Sequence, residues 1–88
     1  MISVEIIDKN SFKVTVDKDN KTEHIVLLND HFHQDITNYK ISKTELITKS
    51  FEFLLSRESN QSILNKFRLE IISQYFPEYI DEIKKNIL

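Results

Sequence analysis

The chain has 88 residues, 12 Lys and Arg against 14 Asp and Glu for a net charge of −2, and neither Cys nor Gly. That length holds one small domain, and the charge is spread evenly, with five Lys against seven Asp or Glu in residues 1–42 and seven of each sign in residues 43–88. Clustered basic charge for phosphate neutralisation, disulfides and thiolate metal sites, and Gly-dependent phosphate loops of the P-loop or dinucleotide type are all excluded or argued against.

With 40% hydrophobic and 30% charged residues the composition is that of a folded globular protein. Met1-Ile2-Ser3-Val4-Glu5 is not a basic region followed by an apolar run, and no apolar stretch approaches the roughly 20 residues of a membrane span. A soluble cytoplasmic protein is the expectation. The abundance of Ile, Lys and Asn fits an AT-rich bacterial genome. Without Gly, turns that need positive φ fall to Asn or Asp, which points to Asn10, Asn20, Asn29 and Asn38.

Ile2, Val4 and Ile6 alternate with Ser3 and Glu5, and after Asp8-Lys9-Asn10 the pattern resumes with Phe12, Val14 and Val16. Period two with β-branched and aromatic residues predicts half-buried strands. Asp17 to Lys21 reads as a second turn and Thr22 to Leu28 as a third strand, so the first third is an antiparallel meander with one apolar and one solvated face. Over residues 29–40, Phe32, Ile36 and Tyr39 have helical spacing. Ser42-Lys43-Thr44-Glu45 is a capping box, with Ile41 and Leu46 as its hydrophobic staple. It starts a helix predicted to reach Arg57, with Ile47, Phe51, Leu54 and Leu55 on one face and Leu46 and Phe53 widening it.

Glu58-Ser59-Asn60 breaks that helix. Short helices are predicted over 61–67, burying Ile63, Leu64 and Phe67, and over 69–76, carrying Ile71, Ile72, Tyr75 and Phe76. Pro77 ends the second and can stand in the first turn of a last helix, which places Tyr79, Ile80, Ile83 and Ile87 on one face. The expected fold is therefore α+β: a single domain over 1–88, with a three-stranded antiparallel β-meander (1–28), a variable connection (29–40) and a helical part (41–88) of three to four helices packed on one face.

The run Phe53-Leu54-Leu55-Ser56-Arg57-Glu58-Ser59-Asn60-Gln61-Ser62-Ile63-Leu64, followed by Tyr75-Phe76-Pro77-Glu78-Tyr79, resembles a family of small uncharacterised bacterial proteins that share F-L-L-x-R-E-x-N-x-S-I-L and Y-F-P-x-Y blocks. The preceding I-S-K-x-E-L-I-x-x-S-F-E is also similar. The resemblance covers most of residues 41–80. Family members often carry a Gly-rich turn before the I-S-K block, where this chain has Asp35 to Lys40, so that loop differs. No activity is implied by the resemblance.

Three groups bear chemistry worth weighing. His24, His31 and His33, with Asp35, are candidate metal ligands; a metal site needs three or four converging donors with a supporting second shell, and the competing reading is surface or loop histidines beside Phe32. Arg57, Glu58, Asn60 and Ser62 form a polar cluster at a helix junction, either a small ligand pocket or, as the caps required there favour, a structural bridge. Phe67, Tyr75, Phe76 and Tyr79 are the interaction candidates, because aromatic residues dominate interface hot spots. Phe67 and Phe76 suit the core as well, and Tyr75 and Tyr79 can present hydroxyls at the surface.

Other signals are weaker. Glu78, Asp81 and Glu82 suit the first turn of a helix and read as a solvated face rather than an acid–base pair. The predicted helices over 61–67 and 69–76 have helix-turn-helix spacing, but Leu69 to Phe76 lacks Lys and Arg, and only Lys66 and Arg68 precede it. No residue is assigned a catalytic role and no cofactor is expected. The sequence thus reads as a non-enzymatic protein-interaction module, whose partner is another protein or a second copy reached through an edge strand or the aromatic helical face. The alternative is a nucleic-acid-associated or antitoxin-like regulator, with Lys13, Lys18, Lys21, Lys66 and Arg68 forming its basic stripe. A metal-dependent enzyme built on the histidines comes last.

Overall fold

Three consecutive strands open the computed structural model, which describes residues 1–87. They are β1 (Ile2–Asp8), β2 (Ser11–Asp17) and β3 (Lys21–Leu27), paired antiparallel in chain order. Register aligns Val4, Val14 and His24 in one row, flanked by Ile2, Val16 and Thr22 and by Ile6, Phe12 and Val26. Because successive strand side chains alternate, this set makes the inner face, with Phe12, Val14, Val16 and Val26 buried in the core. Lys13, Thr15 and Glu23 share the opposite face, where Lys13 and Glu23 form an ion pair at 3.5 Å.

Helix α1 (Asp30–Thr37) is capped at both ends by asparagine. The Asn29 side chain accepts from the Phe32 N–H, and Asn38 adopts the left-handed conformation with its N–H bonded to the Gln34 carbonyl. Among the four asparagines expected at positive φ, only Asn38 has it; the other left-handed residue is Tyr39, an aromatic in a region that disfavours it. Tyr39 also leaves the expected apolar face of α1, which buries His33, Ile36 and Thr37 instead.

Helix α2 (Lys43–Leu55) begins as its cap signal requires, with the Ser42 Oγ accepting from the Glu45 N–H at 3.2 Å. It stops two residues short of Arg57. Leu46, Ile47, Phe51, Phe53 and Leu54 are buried, against both the sheet and α4 (Tyr79–Ile87). From α4, Tyr79 and Ile83 enter the core, with Ile80 and Ile87 packed against it.

Between α2 and α4 the structure corrects the predicted pair of helices. No α-helix forms over residues 61–67. A single 3₁₀ turn (Asn60–Ser62) leads into a fourth strand, β4 (Lys66–Arg68), which pairs parallel to β3 with Val26 opposite Phe67. The sheet is therefore four-stranded and mixed, in the order β1-β2-β3-β4. Residues 69–76 reduce to a second 3₁₀ turn (Leu69–Ile71) and a four-residue helix, α3 (Ile72–Tyr75). The physical cause is long-range. The Asn65 carbonyl accepts from the Ile25 N–H at 2.7 Å, and the alternation Lys66-Phe67-Arg68-Leu69 buries Phe67 and Leu69 while keeping both cations in water.

Candidate interaction groove

The segment from Asn60 to Phe76 crosses the C-terminal end of α2, and between them lies an apolar groove of about 170 Å³. Its floor is the side chains of Leu54, Ile63, Phe67 and Ile72, which belong to the core. At its rim stand Leu64 and Tyr75, respectively 45% and 63% exposed. Glu58 and Ser62 supply its polar edge. Small-molecule sites are typically about 300–1,000 Å³, so this groove has room for one or two side chains rather than a whole ligand. Two other depressions, of about 310 and 280 Å³, are lined mainly by charged and hydroxyl side chains of α2 and its neighbours.

A chain of hydrogen bonds fastens the groove wall to the sheet. His24 faces inward on β3, buried and tilted against Phe51 with ring centroids 5.4 Å apart. Its Nδ1 lies 2.7 Å from the Leu64 carbonyl, which can only accept, so the neutral ring carries its proton there. Nε2 then accepts from the Thr22 hydroxyl at 2.9 Å, and Thr22 Oγ1 accepts in turn from Asn60 Nδ2 at 3.2 Å. Asn60 also donates to the Asn20 carbonyl at 2.8 Å. Leu64, through its own backbone carbonyl, and Asn60, which starts the 3₁₀ turn, are thus both tied to β3 and the turn before it.

The other end is set by α4. Tyr79 is fully buried, which corrects the expectation that its hydroxyl reaches the surface; the hydroxyl meets Ser50 Oγ at 2.6 Å. Since Ser50 donates to the Leu46 carbonyl, the phenol is the donor of that pair. Burial pushes the Tyr79 phenol well above its ordinary value. Arg57 lies over the Phe53 ring at 3.7 Å and bonds Glu78 at 3.1 Å. The backbone N–H of Glu78 itself, then the Arg57 guanidinium, hold the Glu78 carboxyl below the usual carboxylate range.

The candidates named from sequence are distributed as follows. The aromatic group divides: Phe67 and Tyr79 are core, Phe76 is half-buried against it, and Tyr75 is at the surface. The polar cluster also divides, because Arg57 pairs with Glu78 rather than Glu58, Asn60 is a buried latch, Ser62 bonds Ser59, and Glu58 lines the groove. The histidines do not converge. His24 and His33 are buried, not surface residues; His33 Nε2 donates to the Ile41 carbonyl at 2.7 Å, while exposed His31 sits 3.3 Å from Asp35. Among the described residues no group of three or more His, Asp or Glu is placed to hold a metal ion. Leu64, the most exposed apolar side chain of the rim after Tyr75, was assigned to the core from sequence; its alternation with Ile63 was the available signal.

Comparison with protein-family models, curated proteins and solved structures finds no match. No helix among the described residues is long and apolar enough to cross a membrane.

Proposed function

We propose that the chain is a non-enzymatic protein-interaction module whose groove between α2 and α3 receives one or two apolar side chains of a partner protein. The observation that carries this reading is the open apolar floor of Leu54, Ile63 and Ile72 between the exposed side chains of Leu64 and Tyr75. Tyrosine, here Tyr75 at the rim of a concave apolar surface, is among the residue types enriched in interface hot spots. The floor of the groove is apolar, and its polar side chains, Glu58 and Ser62, stand at the edge.

Affinity capture from a bacterial lysate with washes of rising salt, followed by binding of the purified partner, tests the reading. A stoichiometric protein that binds the wild-type chain and loses affinity on Leu64→Lys supports it. Capture of nucleic acid alone, released by salt, or a protein partner indifferent to Leu64→Lys, would count against it.

A further inference from the structure

We propose that β1 is a dimerisation edge, pairing antiparallel with β1 of a second copy about a two-fold axis at Val4. This surface is separate from the groove, and the inference does not depend on it. β1 is an outer strand of the sheet. Met1 and Asp17 exchange both of their backbone hydrogen bonds, at 2.7 and 2.8 Å. In an antiparallel ladder such pairs alternate, so Ser3 and Glu5 also turn their polar groups toward β2. The N–H and C=O groups of Ile2, Val4 and Ile6 face outward.

Natural sheet edges are shielded by Lys, Pro, inward-pointing charge or bulges. Ile2 to Asp8 contains no Lys and no Pro, its inward residues are Ile2, Val4 and Ile6, and its one irregularity lies at the far end, between Ile6 and Asp8. Ile6 and Ile7 are 69% and 55% exposed. α2 packs against β1, and Val4 lines with Glu45, Lys49 and Glu52 an open depression of about 310 Å³ between the two.

The sequence of the edge selects its own copy and one register. With Val4 on the axis, Val4 meets Val4, Ile6 meets Ile2, Ser3 meets Glu5, and Ile7 falls beside Met1 of the second copy. Each exposed apolar side chain of the strand gains an apolar neighbour, and no like charges oppose. The next register, which sets Val4 against Ile6, would place Glu5 directly opposite Glu5, a destabilising cross-strand pair. The opposite shift, which sets Ile2 against Val4, leaves Ile6 and Ile7 uncovered.

Sedimentation equilibrium on the purified chain should show a reversible dimer. Ile6→Lys, at a side chain too exposed to be needed for folding, should weaken it about tenfold or more, since the change acts twice across the axis. Because the chain has no Cys, register can be read by oxidation. Hydrogen-bonded antiparallel pairs hold Cα atoms about 5.5 Å apart, within the span of about 4.4–6.8 Å that a disulfide bridges. Val4→Cys should therefore cross-link efficiently to a covalent dimer while Ile6→Cys alone does not. A wild-type chain that stays monomeric at millimolar concentration, a dimer unaffected by Ile6→Lys, or a dimer dissolved by Leu64→Lys instead would each overturn the proposal.

Discussion

His24 donates from Nδ1 to the carbonyl of Leu64, forty residues further along the chain, at 2.7 Å. One ring therefore joins the inner face of β3 to the wall of the groove, and its second nitrogen closes the link through Thr22 to Asn60. The bond is worth more than its own strength because its acceptor is the backbone of an edge segment with only three residues in β4 to hold it. A buried acceptor left without a donor loses the water it gave up on folding as well as the bond.

Replacing His24 by Phe keeps the ring volume beside Phe51 and removes both hydrogen bonds. We expect a loss of about 1–3 kcal/mol, read as a lower denaturant midpoint at unchanged slope. Amide exchange at Asn65 to Phe67 should accelerate more than exchange in β2, because the lost bond anchors that segment alone. Uniform acceleration across the sheet would contradict this account of the latch.

Why did the meander and α2 follow from sequence while β4 did not? Val14 and Val16 alternate with polar neighbours, and the Ser42 cap sits beside the helix it starts, so both signals are local. The pairing of Phe67 with Val26 spans forty-one positions and is decided by contacts such as His24 with Leu64, which no short window contains. Ile63, Leu64 and Phe67 satisfy helical spacing as well as a turn followed by an extended segment. Only Lys66-Phe67-Arg68-Leu69 marked the strand. The groove was half legible for the same reason: Tyr75 belonged to the aromatic group read as an interaction face, whereas Leu64 was hidden in a helix that does not form.

Tyr79 yields a prediction at alkaline pH. Its folded-state phenol stays protonated above the ordinary value of 10.0 because burial penalises the anion. Above that pH the unfolded chain releases the proton first, so the native state binds more protons and stability must fall as pH rises. The contribution is intact below about pH 10 and is lost progressively above it. Tyr79→Phe should cost about 0.5–1.5 kcal/mol at neutral pH for the lost bond to Ser50. The cost should shrink from pH 8 to pH 11. Parallel wild-type and variant stability curves over that range would be the contrary result.

At acid pH the sign reverses. Lys43, at 2.7 Å, and Lys9, at 3.0 Å, hold the Asp30 carboxyl below its usual range. A carboxyl with a lowered folded value contributes stability that is present above its unfolded value and lost as pH falls through the folded one. Asp30→Asn should therefore flatten the decline in melting temperature between pH 5 and about pH 3, and added salt should reduce the difference, since the Asp30 carboxylate and Lys9 are exposed. If the variant and wild-type curves decline together, the pair does not contribute to acid sensitivity.

The groove and the core beneath it should separate by mutation. Phe67 faces inward, packed 6.1 Å from the Phe51 ring centroid, and Phe67→Ala should cost about 3–5 kcal/mol through the cavity it leaves. Leu64 is one strand position out of phase with that core. Its carbonyl serves the latch, but its side chain is at the rim, so Leu64→Lys should alter stability by no more than about 0.5 kcal/mol. Chemical denaturation of the two variants measures both costs. Titration with a small alcohol, followed by methyl NMR, should perturb Leu64, Ile71 and Ile72 before the inner valines of β2, because the groove, unlike that core, is open to an apolar probe. A large cost for Leu64→Lys would mean that the side chain closes the core rather than lining an open surface, and perturbation spread evenly over the core methyls would mean that the groove offers no site of its own.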